Sequence, residues 1–352
     1  MTREFVYQAL PVRVVFGPGR SREVAAELDA LGLDRALVLS TPGHKDVAGE
    51  VSRALGGRSA GLHAEAAQHV PVDLARAAVA VARERGADGC VAVGGGSTIG
   101  LAKAIALETG LPIVAVPTTY AGSEMTPVWG LTEDGRKRTG RDPRVLPRAV
   151  VYDPDLTFGL PVPLSVTSGM NAMAHAVEAL YAPDTSPIVG LMATECVRAM
   201  AGALPRVAAR PSDPEARSDA LYAAWLGGSC LGATTMGLHH RLCHALGGTF
   251  GLPHAETHSI MLPYVLAFNA AAAPEAVRSL GAALGTEAPA RALREIGLLA
   301  GGPRSLGDLG LVQDDLDAVA AQVAETPYAN PRPAGRAEIR ALLDDAWSGA
   351  PL

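Results

Sequence analysis

Residues 90–110 read CVAVGGGSTIGLAKAIALETG, and the order of their parts decides the fold. A short run suited to a buried strand leads into three glycines, and an Ala- and Leu-rich helical stretch follows. Gly94, Gly95 and Gly96 let backbone N–H groups approach an anion without interference from a Cβ. Ser97 and Thr98 stand where they can cap the helix, whose N-terminal dipole also favours a phosphate. A glycine cluster at the carboxyl end of a strand is where α/β sheets bind ligands. The spacing is not the usual GxGxxG fingerprint, so a plain tight turn is the competing reading.

The stretches around this turn repeat its pattern. Apolar β-type runs lie at 12–16, 36–40, 89–97, 112–119 and 148–154, separated by helical patterns such as 21–32 and 71–86. Alternating strands and helices imply βαβ units and a mostly parallel sheet. A second strand end, VPTTYAGSEMT (116–126), brings Thr118, Thr119 and Ser123 toward the same ligand, with loop capping as their alternative role. The first long strand ends in Leu39-Ser40-Thr41-Pro42. No acidic residue stands there to repel the extra phosphate of NADP, so Ser40 joins the nucleotide set and either NADH or NADPH is expected.

After Leu160-Pro161 the character changes to long Ala-, Leu- and Met-rich stretches with few β-branched runs. The expected division is an α/β nucleotide-binding domain over 1–155, Rossmann-like, and an all-helical domain over 156–352. A chain of 352 residues is long for one core, which also favours two domains. With a net charge of −6 and no basic tract, nucleic acid is not the expected partner. The N-terminus has no signal-peptide pattern and no run approaches a membrane span, so a cytoplasmic protein is expected. The four scattered cysteines fit reduced, buried thiols.

Five of the nine histidines fall in HHRLCHALGGTFGLPHAETH, residues 239–258. His240 and His244 are four apart, as are Asn171 and His175 in SGMNAMAHAVEALYA (168–182), so each pair shares a helix face. His254 enters from a Gly-Leu-Pro turn. Asn171, His175, His240 and His254 could converge on one point. A divalent iron site usually includes a carboxylate, and here the expected acid is an amide. Three histidines alone can still hold zinc, and a metal-free cluster can carry positive charge. His239 and His258 read as structural or supporting residues, and Cys243 as a packed thiol.

GGGSTIGLAKA, PTTYAGSEMT, SGMNAMAHAVEALYA and HHRLCHALGGTFGLPHAETH together resemble the iron-containing alcohol dehydrogenase superfamily, which shares the dehydroquinate synthase-like fold. Within it the resemblance is to the maleylacetate reductases, and it extends over nearly the whole chain. It implies a nucleotide-binding α/β domain, a helical domain and a cleft between them. It implies NAD(P)H binding by Gly94, Gly95, Gly96, Ser97, Thr118 and Thr119. In metal-dependent relatives an Asp and three His bind iron or zinc, and these map onto Asn171, His175, His240 and His254. His244 matches a histidine near the nicotinamide. Similar proteins imply a homodimer and a place in the catabolism of aromatic compounds.

The expected reaction is reduction of the C2=C3 bond of maleylacetate to 3-oxoadipate without a metal. In this reading His175, His240, His244 and His254 replace the metal, hold a substrate carboxylate and supply the proton. His244 is the first choice for the general acid and His240 the second. The dicarboxylate calls for an arginine, for which Arg332 and Arg241 are the candidates; holding the C-terminal turn is the other role open to Arg332. The rival readings are a metal-dependent alcohol dehydrogenase, reduction of a related unsaturated keto acid, a dehydroquinate-synthase-like lyase and a non-catalytic nucleotide-binding protein.

Overall fold

The computed structural model describes residues 4–133 and 136–352. The chain divides into one unit of Leu10–Leu160 and another of Pro161–Leu352 with the N-terminal stretch to Ala9.

The first unit holds eight strands among the described residues: β1 (Arg13–Phe16), β2 (Ala36–Leu39), β3 (Ser59–His63), β4 (Gly89–Gly94), β5 (Ile113–Pro117), β6 (Val128–Glu133), β7 (Arg136–Arg141) and β8 (Ala149–Tyr152). Six form a sheet in the order β1-β8-β5-β4-β2-β3, with every pairing parallel, while β6 and β7 pair as an antiparallel hairpin. Alternate residues feed two cores. Val91, Val93, Val114 and Val116 face one, and Cys90, Ala92 and Ile113 face the other. Both faces are covered, which is why these strands read as continuous apolar runs rather than alternating ones. The helices of this unit are α1 (Val24–Leu31), α2 (Lys45–Ala54), α3 (Val72–Glu84) and α4 (Gly96–Thr109). From β2 the chain crosses to β3 on one side, and from β4 to β5 on the other. The sheet's switch point therefore lies between the carboxyl ends of β2 and β4, where Ser40 and the glycines stand.

Lys103 of α4 is buried in this unit and holds the 123–128 segment. Its Nζ donates to the carbonyls of Ser123, Thr126 and Val128 at 2.7, 2.8 and 2.7 Å. Burial lowers its pKa from 10.5 to about 7, and the neighbouring Glu124 pulls it back upward. Three carbonyl acceptors match three N–H groups, which only the ammonium form supplies.

Among the described residues of the second unit the regular structure is helical: α5 (Val162–Leu180), α6 (Pro187–Ala209), α7 (Pro214–Ala233), α8 (Leu238–Phe250), α9 (His254–Asn269), α10 (Pro274–Leu284), α11 (Pro289–Gly297), α12 (Leu316–Ala324) and α13 (Arg336–Ser348). Helix α5 is buried without a break from Ser165 to Ala179 and packs on α6, α7 and α9. Glycines permit this approach. A Cβ on Gly227 of α7 would lie 2.6 Å from the Ala172 carbonyl oxygen, and one on Gly169 would lie 2.8 Å from the Met200 sulfur. Helix α6 is long and apolar enough to cross a membrane by length and composition alone; here it packs against α5 and α7.

Candidate active site

The glycine turn is built for a close backbone approach. Gly94 takes φ +153°, and a Cβ there would run into the Thr98 side chain. A Cβ on Gly95 would meet Thr119 Oγ1 at 2.8 Å and Cγ2 at 2.9 Å. Gly94 pairs with Pro117 across the sheet, and Thr118 N–H donates to the Gly94 carbonyl at 3.2 Å, so the two strand ends form one rim. These positions fit a dinucleotide phosphate, because the first turn of α4 has no side-chain cap and leaves its N–H groups to an anion.

One hydroxyl expectation is corrected, and another residue gains a partner. Ser97 and Thr98 do not cap α4: the helix begins at Gly96 with Gly95 as its N-cap, so both fall inside the first turn. Ser123 Oγ lies 3.3 Å from the Lys103 ammonium and accepts from it, which ties the residue to the loop's internal support. Ser40 Oγ is buried without a hydrogen-bond partner among the described residues. His44 bridges the ends of β2 and β5, with Thr41 Oγ1 at 3.1 Å from Nδ1 and Thr118 Oγ1 at 3.4 Å from Nε2.

In the helical unit the histidines do gather. His175 and His240 stack with ring centres 5.1 Å apart, and His258 lies 4.9 Å from His240 and 4.3 Å from His254. His244 and His254 stack at 6.4 Å. Burial grades across the group: His175, His239, His240 and His258 are enclosed, while His244 and His254 are exposed. The heptad-like spacing of α5 puts Asn171, His175 and Glu178 on one face.

Glu178 was not among the expected site residues. It is fully buried, and its Oε2 accepts from His240 Nδ1 at 2.6 Å and from Gly237 N–H at 3.0 Å, while Oε1 accepts from His239 N–H at 2.8 Å. The acid that was sought beside the histidines is present, but behind His240. Burial pushes the Glu178 pKa up, yet the His240 hydrogen bond and nearby imidazoles prevail and hold it below the usual value. Burial, and then neighbouring imidazoles, drive His175 and His258 well below the usual pKa. Burial also takes His239 down to about 3. Burial thus favours the neutral form of those three rings.

Two matching family descriptions span most of the chain: Fe-containing alcohol dehydrogenase family, C-terminal, over residues 165–347, and iron-containing alcohol dehydrogenase over residues 11–154. The chain belongs to the iron-containing alcohol dehydrogenase family. It is 54% identical over 348 residues to a maleylacetate reductase of Sphingobium indicum, with 99% of each chain covered. It is 52% identical over 345 residues to one of Burkholderia cepacia, with 98% of each covered. The crystal structure of a maleylacetate reductase from Agrobacterium tumefaciens matches with a TM-score of 0.96 at 51% identity, over 99% of each chain.

For a member of the iron-containing alcohol dehydrogenase family, this metal position is poorly furnished. Its donors are the neutral Asn171 amide and three imidazoles, with no anionic ligand. Among the described residues, the group of candidate ligand atoms within 4.8 Å of one another is instead His239, Cys243 and His258. Those three are already engaged: His239 Nε2 and His258 Nδ1 share a 2.9 Å hydrogen bond, and burial keeps the Cys243 thiol protonated by raising its pKa well above 9.0. The donor set does not fit a family-type iron site.

Both candidate arginines meet backbone carbonyls. Arg332 donates to the Phe268 carbonyl at 3.1 Å and lies over the Phe268 ring at 4.0 Å, so it holds the C-terminal turn. Arg241 reaches the Gln322 carbonyl at 3.5 Å. One residue beyond His240, it is turned about 100° around α8, away from the face that His240 shares with His244.

Proposed function

We propose that this protein reduces the C2=C3 bond of maleylacetate with NADH or NADPH, giving 3-oxoadipate, and does so without a metal. The observation that carries the reading is an enclosed histidine group with Asn171 at the position of the family's acidic ligand, in a chain more than half identical to maleylacetate reductases along its whole length. The buried, reduced cysteines suit a cytoplasmic enzyme.

When bound, the nicotinamide supplies a hydride to C2 of the substrate. Electrons then move onto the C4 ketone oxygen as an enolate, and a proton added at C3 completes 3-oxoadipate. The chain's task is to bind two carboxylates, stabilise the enolate oxygen and deliver that proton. An amide at 171 helps with the first two. Its NH2 group can donate to an anionic oxygen, whereas a carboxylate would repel one. The rings of His244 and His254 are exposed, where a substrate carboxylate can reach them. The enclosed His175 and His240 act where water is scarce and a hydrogen bond to developing charge counts for more.

One observation favours a second reading, a metal-dependent carbonyl reductase. The Glu178–His240 bond has the form of the outer carboxylate that orients a metal-binding histidine. A single assay separates the two. Chelator-treated protein is mixed with NADH and freshly generated maleylacetate, and the nicotinamide absorbance is followed. Turnover unaffected by chelator supports the metal-free reading. Turnover that returns only with iron or zinc, and extends to simple aldehydes, overturns it.

A further inference from the structure

Lys103 stands two turns along α4 from Gly96 and on the same face of the helix. Its side chain is buried, and besides the three carbonyls its Nζ reaches the Thr126 hydroxyl at 3.0 Å and the Ser123 hydroxyl at 3.3 Å. A buried ammonium is costly unless it is well hydrogen-bonded, and every one of these acceptors belongs to the 123–128 segment. Glu124 of the same segment is also buried, and its Oε1 accepts from the Tyr152 hydroxyl of β8 at 2.8 Å. The segment is therefore tied to α4 on one side and to β8 on the other.

Only Tyr120, Ala121 and Gly122 separate Thr119 from Ser123. Tyr120 is fully buried and Gly122 takes the left-handed conformation at φ +78°, so this link is short, enclosed and sharply turned. The place of Ser123, held by Lys103, then sets the place of Thr119, whose Oγ1 stands 2.8 Å from where a Cβ on Gly95 would be. One helix presents the glycine turn with its first residues and holds the facing rim two turns later.

We propose that Lys103 is a positioning residue for the nicotinamide cofactor: it clamps the 123–128 segment to α4 and so fixes Thr118 and Thr119 at one distance from the glycine turn. The inference rests on the nucleotide site read at these two strand ends. Lys103 acts through the loop rather than on the cofactor itself. Both rims of the phosphate site are set before the dinucleotide arrives, so binding does not have to order one of them. A lysine that served the fold alone would change stability and leave cofactor affinity where it was.

The test compares the parent, Lys103→Met and Lys103→Met/Glu124→Gln by NADH fluorescence titration, urea unfolding and hydrogen exchange of the cofactor-free protein. Lys103→Met is expected to raise the NADH dissociation constant about tenfold as preorganisation is lost, and to speed exchange across 118–128. With maleylacetate, the KM for NADH should rise while kcat at saturating NADH stays within about twofold. The double variant removes the carboxylate that Lys103→Met strands. It should regain resistance to urea, yet bind NADH as weakly as Lys103→Met does. Recovery of affinity along with stability overturns the proposal, since the lysine would then only neutralise Glu124. Unchanged affinity, or unchanged exchange across 118–128, in Lys103→Met overturns it as well. Should neither variant fold, Thr126→Val decides, because it deletes one acceptor of the clamp and keeps the side-chain shape: weaker NADH binding supports the proposal and parent-like binding overturns it. Failure of the parent protein to bind NADH would instead strike at the nucleotide site.

Discussion

His239 and His258 share one hydrogen bond, 2.9 Å from Nε2 to Nδ1, deep inside the helical unit. Both rings are fully buried, so each is the other's substitute for water. Replacing His239 with Phe keeps the ring volume but strands His258 Nδ1. Leaving a buried polar atom unsatisfied costs about 1–3 kcal/mol, and thermal denaturation of His239→Phe should show a loss of that size. An unchanged Tm would mean that the shared bond contributes nothing.

Gly95 faces Thr119 so closely that a methyl group cannot be added without displacement. Gly95→Ala is expected to weaken NADH binding at least about tenfold, equivalent to about 1.4 kcal/mol, measured by quenching or enhancement of nicotinamide fluorescence. Removing the obstructing side chain in Gly95→Ala/Thr119→Ala should recover part of the affinity. Full affinity in the single variant would show that the turn does not approach the cofactor.

Lys103 satisfies three carbonyls from within the α/β unit. Lys103→Met fills the space and leaves those acceptors dry. It should destabilise the fold by at least about 1–3 kcal/mol, read from urea unfolding, while the helical unit's histidine geometry is untouched.

All four cysteines are buried. Burial disfavours the thiolate, pushing Cys90 and Cys230 up to about 12 and Cys196 and Cys243 well above the usual thiol value. The reactive form is the thiolate, so the native protein at pH 8 should not react with an aromatic disulfide reagent. Titratable thiols should appear only in denaturant. Rapid native labelling at pH 8 would contradict the burial.

Asn171→Asp restores the acidic ligand of metal-dependent relatives beside His175 and His240. The variant is expected to retain zinc through desalting, by elemental analysis, and to lose activity on maleylacetate. Equal zinc retention by the parent would show that three imidazoles and an amide suffice.

The parallel sheet was legible because its central strands carry β-branched runs buried on both faces. Strand β3 was not, since SAGLH offers Ser, Ala and Gly and only one large apolar residue. The β6–β7 hairpin was hidden for a different reason: RKRTGR is as polar as a loop, and its strand character comes from pairing with β6. The histidine pairs at spacing four were legible on their helix faces. Glu178 sits seven residues after Asn171 and three after His175, a spacing that places it on the same face. Even so, a lone Glu in an Ala-rich helix reads as a solvent-facing residue, and its partners lie about sixty positions away. For the arginines, sequence reports charge but not which carbonyl it meets: Arg332 meets that of Phe268 and Arg241 that of Gln322.

Helix α5 carries Asn171, His175 and Glu178 on a rod whose neighbours touch its backbone at Gly227 and its side at Gly169. Such a rod admits little adjustment: a methyl group at Gly227 would meet the Ala172 backbone and force one helix to move, whereas one at Gly169 would press on the Met200 and Leu204 side chains. A change of substrate therefore falls more readily on the exposed His244 and His254, whose replacement alters carboxylate binding while the buried packing of α5 stays intact.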